Sequence, residues 1–154
     1  MLSDEIKSEI QCGLNSCPTD RCAILEALQT VQRSHGWISD EQLREVAEFL
    51  NLTVEEVDGV ATFYNRIYRR PVGRHIILVC DSVSCWIMGF ENILDYIRKR
   101  LGIDFGETTH DGRFTLLPIQ CLGACEQAPA IMIDGQLYGY LDRDKIEAIL
   151  RSYE

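Results

Sequence analysis

Apolar positions recur every three or four residues through the N-terminal half of the chain, then give way to continuous apolar runs. Ser3 is placed to cap a first short helix that runs through Ile10. The Pro18-Thr19-Asp20 segment breaks it. A second helix follows, with Ile24, Leu25, Leu28 and Val31 on one face, and stops near Gly36. Ser39 with Gln42 three residues on makes a capping box, and the helix behind it carries Leu43, Val46, Ala47 and Leu50 on one stripe. Thr53 with Glu56 repeats the box and opens a fourth helix through Val57, Val60 and Ala61. Four short amphipathic helices joined by short loops predict a small bundle.

Pro71-Val72-Gly73 ends that pattern. Residues 75–79 (HIILV) form a continuous, largely β-branched run, which suits a strand buried on both faces. A helix is predicted over Phe90–Leu101, with Ile93, Leu94, Ile97 and Leu101 spaced for one face. Asp111-Gly112 marks a turn, and Phe114–Ile119 a second strand. Residues 130–133 and 136–140, joined by Asp134-Gly135, read as a hairpin. Asp142 caps a last helix with Ile146, Ile149 and Leu150 inward. The predicted class is α+β: a helical bundle over residues 1–72, then a domain over residues 73–154 with the order β-α-β-β-β-α.

Two short cysteine pairs sit at the ends of the two predicted strands: Cys80 and Cys85 in CDSVSC, Cys121 and Cys125 in CLGAC. A strand, helix and strand in that order favour a right-handed parallel unit, whose strands end at one edge of the sheet. Both cysteine loops then leave side by side, where open α/β sheets usually place ligands. Four thiolates satisfy a [2Fe–2S] cluster, two sulfurs per iron, and they equally satisfy a structural zinc ion. Spacing alone leaves the two open. Gly123, between the second pair, suits a turn with positive φ. Small residues at Ser82, Ser84, Gly123 and Ala124 let backbone N–H groups reach the sulfurs. The helix starting near Gly89 is expected to turn its positive end toward the Cys85 loop.

Composition narrows the classes. The 154 residues are 46% apolar and 25% charged, with a net charge of −9. That acidity argues against nucleic acid as a partner. No apolar run approaches the roughly 20 residues needed to cross a bilayer. The opening MLSDEIKSEIQ is not a secretory signal, so a cytoplasmic protein is expected. Seven cysteines in such a chain point to metal or redox chemistry rather than disulfides. No Cys-x-x-Cys occurs for a thioredoxin-type dithiol. His35, His75 and His110 are too scattered for a Rieske site. Cys12, Cys17 and Cys22 step round a helix by ~140° each. They are therefore expected on different faces, as core or partly exposed free thiols.

With these residues in view, CDSVSCWIMG, DGRFTLLPIQCLGAC and GVATFYNRIYRRPVGRH resemble the thioredoxin-like [2Fe–2S] subunit, the E-type subunit, of NADH:quinone oxidoreductase, respiratory complex I. The resemblance runs from about Thr19 to the C-terminus. It implies a thioredoxin-like ferredoxin domain after the helical one, and cluster ligands at Cys80, Cys85, Cys121 and Cys125. It implies one-electron exchange with the FMN of a partner flavoprotein subunit that also binds NADH. No FMN, NADH or catalytic residue is assigned to this chain, which would be an oxidoreductase only as part of its complex. Other subunits of that complex would be partners, and the chain would lie at the inner membrane peripherally, without inserting. Many relatives carry His after the second cysteine, where this chain has Trp86.

The same module in an NAD-linked hydrogenase or formate dehydrogenase is the nearest alternative. A zinc-stabilised docking subunit without redox role is another. Arg66, Arg69, Arg70 and Arg74 form a basic stretch that is either a solvated linker or a docking surface for an acidic partner. Trp37, Phe63 and Tyr64 are expected in the bundle core or at an interface. Pro129 is placed for a cis peptide bond.

Overall fold

Side-chain caps encoded locally start most of the long helices. Ser3 accepts from the Ile6 N–H to open α1, Asp4–Leu14, which runs one turn further than its apolar pattern suggested. After a 3-10 turn over Asp20–Ala23 comes α2, Ile24–His35, which ends at Gly36 with φ 82°. Both expected capping boxes are present and reciprocal: Ser39 with Gln42 opens α3, Asp40–Phe49, and Thr53 with Glu56 opens α4, Val54–Phe63. Each cap is worth ~1 kcal/mol. The computed structural model describes residues 2–15 and 17–153 and, of Asp20, the backbone alone. Its contacts divide the chain into two compact units, Met1–Pro71 and Val72–Glu154, each with its own apolar core.

In the first unit Leu28, Val31, Val46 and Val57 are fully buried, as their spacing predicts. Leu25 and Val60 are only half-buried, and Ala27 takes the inner place on α2. The segment after α4 folds back on α2. The Gln32 side chain donates to the Arg66 carbonyl and accepts from the Tyr68 N–H, at 2.8 and 2.7 Å. This placement separates the arginines. Arg69 points inward, donating to the Ile38 carbonyl at 2.5 Å and pairing with Asp40 and Asp58. Arg66, Arg70 and Arg74 are at the surface, fully or in part. Phe63 is 79% and Tyr64 43% exposed, their rings edge-on to each other, so neither is core.

The second unit is a four-stranded mixed sheet in the order β2-β1-β3-β4, built from β1 His75–Cys80, β2 Phe114–Ile119, β3 Ile131–Ile133 and β4 Gln136–Tyr138. β1 runs parallel to β2, with Cys80 opposite Ile119, and antiparallel to β3. Ile77, Leu78, Val79 and Cys80 are buried in succession, so both faces of this central strand are covered. The β3–β4 turn is Asp134-Gly135, both at positive φ, 49° and 89°. A five-residue helix that the sequence did not predict, α5, Val83–Ile87, starts inside the first cysteine loop and runs two residues past Cys85. α6, Phe90–Leu101, and α7, Arg143–Ser152, complete the fold, α7 capped by Asp142 on the Lys145 N–H. The class is α+β. Among the described residues, no helix is long and apolar enough to cross a membrane.

Candidate metal centre

Parallel pairing brings the ends of β1 and β2 to the same edge, and antiparallel pairing brings the start of β3 there too. Cys80 is the last residue of β1, and its N–H donates to the Ala130 carbonyl at 3.2 Å. The next N–H, of Asp81, donates to Ile119 at 2.8 Å, which binds the first cysteine loop to the end of β2. Cys121 follows two residues after that strand, and Cys125 opens a 3-10 turn, Cys125–Gln127. Cys85 lies in α5. The Ala128–Pro129 peptide just before Ala130 is cis, as expected.

The four thiols meet. Cys85 is in hydrogen-bond contact with Cys80 and within electrostatic reach of Cys125. Cys121 is in hydrogen-bond contact with Cys125, Cys80 and the Ser82 hydroxyl. Its sulfur also accepts the Gly123 N–H at 3.3 Å, a bond made possible by Gly123 at φ 73°. Cys80 and Cys85 are 3% and 2% exposed, whereas Cys121 and Cys125 are open to solvent. Burial, and then the bond to Cys80, push the Cys85 thiol up to about 11, while the Ala130 N–H works the other way. The Gly123 N–H pulls Cys121 below the ordinary thiol value. α6 starts at Phe90, five residues after Cys85, which itself lies in α5.

Among the described residues, no group of three or more His, Cys, Asp or Glu side chains is arranged to hold a metal ion as it stands. The thiols are thus neighbours rather than a finished coordination shell. Their chemistry still suits an iron–sulfur group: four sulfurs linked pairwise at one sheet edge, two buried and two open, with the Gly123 N–H on Cys121 and the Ala130 N–H on Cys85. The Gly123 donor is local, two residues from its sulfur, whereas the Ala130 donor depends on tertiary placement and carries no sequence signal. Beside Cys85, Val83, Trp86, Ile87 and Met88 are 59–70% exposed. Val83, Trp86 and Ile87 have the i, i+3, i+4 spacing of a buried stripe, yet it faces solvent. In the other unit, Cys12 is exposed in α1, and Cys17 and Cys22 touch each other.

Comparison with known proteins agrees with this chemistry. Residues 10–154 match the family described as thioredoxin-like [2Fe–2S] ferredoxin. The chain is 46% identical over 153 residues to the E-type subunit of NADH-quinone oxidoreductase from Pseudomonas aeruginosa, covering 99% of this chain and 92% of that one. It is 42% identical to the Escherichia coli protein of the same name over the same shares. Among solved structures, an NAD+-reducing [NiFe]-hydrogenase in the air-oxidized state superposes with a TM-score of 0.72 at 25% identity. That match covers 84% of this chain but only 22% of the hydrogenase chain.

Proposed function

Because the chain belongs to the thioredoxin-like [2Fe–2S] ferredoxin family, we propose that it is the electron-transfer subunit of an NADH:quinone oxidoreductase, with Cys80, Cys85, Cys121 and Cys125 holding its [2Fe–2S] cluster. The observation that carries the reading is the contact of four thiols at one sheet edge in a chain of this family. A bound cluster supplies one-electron exchange at a potential set by charge, hydrogen bonds and solvent. This chain's residues prepare the place. Cys80 and Cys85 keep water from one side. The Gly123 and Ala130 N–H groups offset negative charge on the sulfurs. Cys121 and Cys125 form the open side. Residues 1–72 then form a helical domain and residues 73–154 the cluster-bearing one.

The electron partner in this reading is a flavoprotein subunit that binds FMN and NADH, so no active site is complete on this chain. Val83, Trp86, Ile87 and Met88 are where that partner seats. Exposed apolar groups of this size mark contact surfaces. Three of them share a five-residue helix with Cys85 and Met88 follows it, so a partner covering them stands next to the thiols. The membrane association is peripheral, through the complex. A hydrogenase or formate dehydrogenase module is the second reading, supported by the likeness to the hydrogenase chain. Identity of 42–46% over nearly the whole length to subunits of NADH-quinone oxidoreductase favours the respiratory one.

The test is anaerobic purification with iron and sulfide analysis and EPR after dithionite. About two irons and two sulfides per chain and one spin-half signal are expected. Colourless protein carrying one zinc overturns the redox role. Single Cys→Ser changes at the four positions should each lose or destabilise the cluster while helicity survives; a full cluster in all four overturns the ligand assignment. Trp86→Asp should keep the cluster and weaken binding to the flavoprotein subunit. Undiminished binding removes α5 from the docking face.

A further inference from the structure

Cys17 and Cys22 are five positions apart, which on one continuous helix would turn them ~140° from each other. The chain is not α-helical between them. Helix α1 ends at Leu14, and the Cys17 N–H donates back to the Leu14 carbonyl at 3.0 Å. Pro18 has no N–H to continue that ladder. Thr19 then starts the 3-10 turn, in which the Cys22 N–H donates to the Thr19 carbonyl at 3.2 Å and the Cys22 thiol to the same oxygen at 2.9 Å. This reversal brings the two thiols to the two ends of one turn, within reach of each other's influence, both free, Cys22 exposed and Cys17 half-buried against the bundle core.

We propose that Cys17 and Cys22 are a peroxide-reactive dithiol that closes to an intrachain disulfide. The pair sits wholly in the helical unit, so the proposal stands whether or not the cluster assignment does. Three features divide the roles. Cys22 is the open sulfur, and it precedes the N-terminus of the 12-residue helix α2 by two positions, where a thiolate is favoured. The interaction between the two thiols lowers Cys22 and pushes Cys17 up to about 11. Cys17, with Glu26 adding negative charge beside it, keeps its proton. Cys22 is therefore the attacking sulfur and Cys17 the resolving one.

The chemistry closes without a further reagent. The Cys22 thiolate attacks one oxygen of hydrogen peroxide, the O–O bond breaks, and hydroxide leaves as Cys22 becomes a sulfenic acid. The Cys17 sulfur then attacks the Cys22 sulfur, the S–O bond breaks, and the departing hydroxide leaves as water with the Cys17 proton. Two thiols and one peroxide give one disulfide and two waters; a small thiol reductant reverses it. The bond would pin the end of α1 to the start of α2.

Trypsin makes the test direct, because Arg21 lies between the two cysteines. Purified full-length protein is exposed to hydrogen peroxide, alkylated, denatured and digested without reduction. Peptides 8–21 and 22–33 should appear joined, and separate again with dithiothreitol. The same join should form in Cys12→Ser, which leaves Cys17 as the sole partner in the first peptide, and should be absent from Cys17→Ser and Cys22→Ser. In Cys17→Ser, sulfenic acid trapped by dimedone at Cys22 should rise several-fold over the unsubstituted chain. Separate peptides with Cys17 and Cys22 both alkylated, at a dose that oxidises other cysteines, overturn the proposal. So does a join that vanishes in Cys12→Ser. Iron content, read on the same samples, reports on the cluster independently.

Discussion

Gly123→Ala isolates one backbone conformation beside the thiols. Gly123 has φ +73°, and nothing lies within 4 Å of where a Cβ would stand. The added methyl meets open space, so its cost is conformational, about 1–2 kcal/mol for an L-residue in the left-handed region. The backbone that shifts to relieve that cost carries the N–H now 3.3 Å from the Cys121 sulfur. Such a bond favours the more negative, reduced cluster. If it is worth ~1 kcal/mol more to the reduced state, its loss lowers the midpoint by roughly 40 mV for one electron. Urea unfolding measures the first effect, and a redox titration followed by EPR the second. Gly123→Asn is the control, since Asn tolerates this region better and should lose less on both scales. An Ala variant with unchanged stability and potential refutes the reasoning. An Asn variant as damaged as the Ala one shows that backbone conformation is not the cause.

Three further perturbations test the supports of the two units. The buried Thr115 hydroxyl accepts the Gly73 N–H at 2.6 Å and shares a hydrogen bond with Thr108 at 2.7 Å; Thr115→Val should cost ~1–3 kcal/mol in urea unfolding, and Thr115→Ser should recover most of it. Arg69→Ala leaves the Ile38 carbonyl without its donor and Asp40 and Asp58 without their cation; a loss of ~1–3 kcal/mol is expected, and a change below ~0.5 kcal/mol would show the arginine to be mere surface charge. Tyr96, then Arg100 and Arg151, hold the Glu147 carboxyl down from its ordinary 4.5 to about 2. A lowered folded value means stability that is complete above about 4.5 and lost as pH falls towards about 2. Glu147→Gln should remove that dependence from acid unfolding curves, and an unchanged curve would show that Glu147 does not contribute.

Much of the fold was legible because its causes are local. A capping box joins residues three apart, so Ser39 with Gln42 and Thr53 with Glu56 declare their helices before anything else has folded. Asp134-Gly135 declares its hairpin in the same way. The meeting of the four thiols is less local, yet it followed from chirality: a parallel crossover leaves little choice of edge, and β1 and β2 do pair in parallel. The family resemblance rested on motifs around those thiols and on the upstream stretch over residues 59–75, and the match over residues 10–154 agrees with it.

The remainder depended on which surfaces compete for burial. Val83, Trp86 and Ile87 have core spacing, but five residues of helix bury little, and the sheet is already covered by other elements, so the stripe stays outside. Arg69 looks like its neighbours in sequence. Only the return of the chain onto α2 gives it a carbonyl and two carboxylates to bind. A continuous helix would hold Cys17 and Cys22 on separate faces; Pro18 with the 3-10 turn brings them together instead. The Ala130 N–H reaches Cys85 because β3 pairs antiparallel with β1 and starts where β1 ends. Sequence alone determined most of the elements, their order and the thiols, since each rests on neighbours along the chain. Tertiary structure decided which groups face the sulfurs and which face water, because those contacts join residues that only the packed chain brings together.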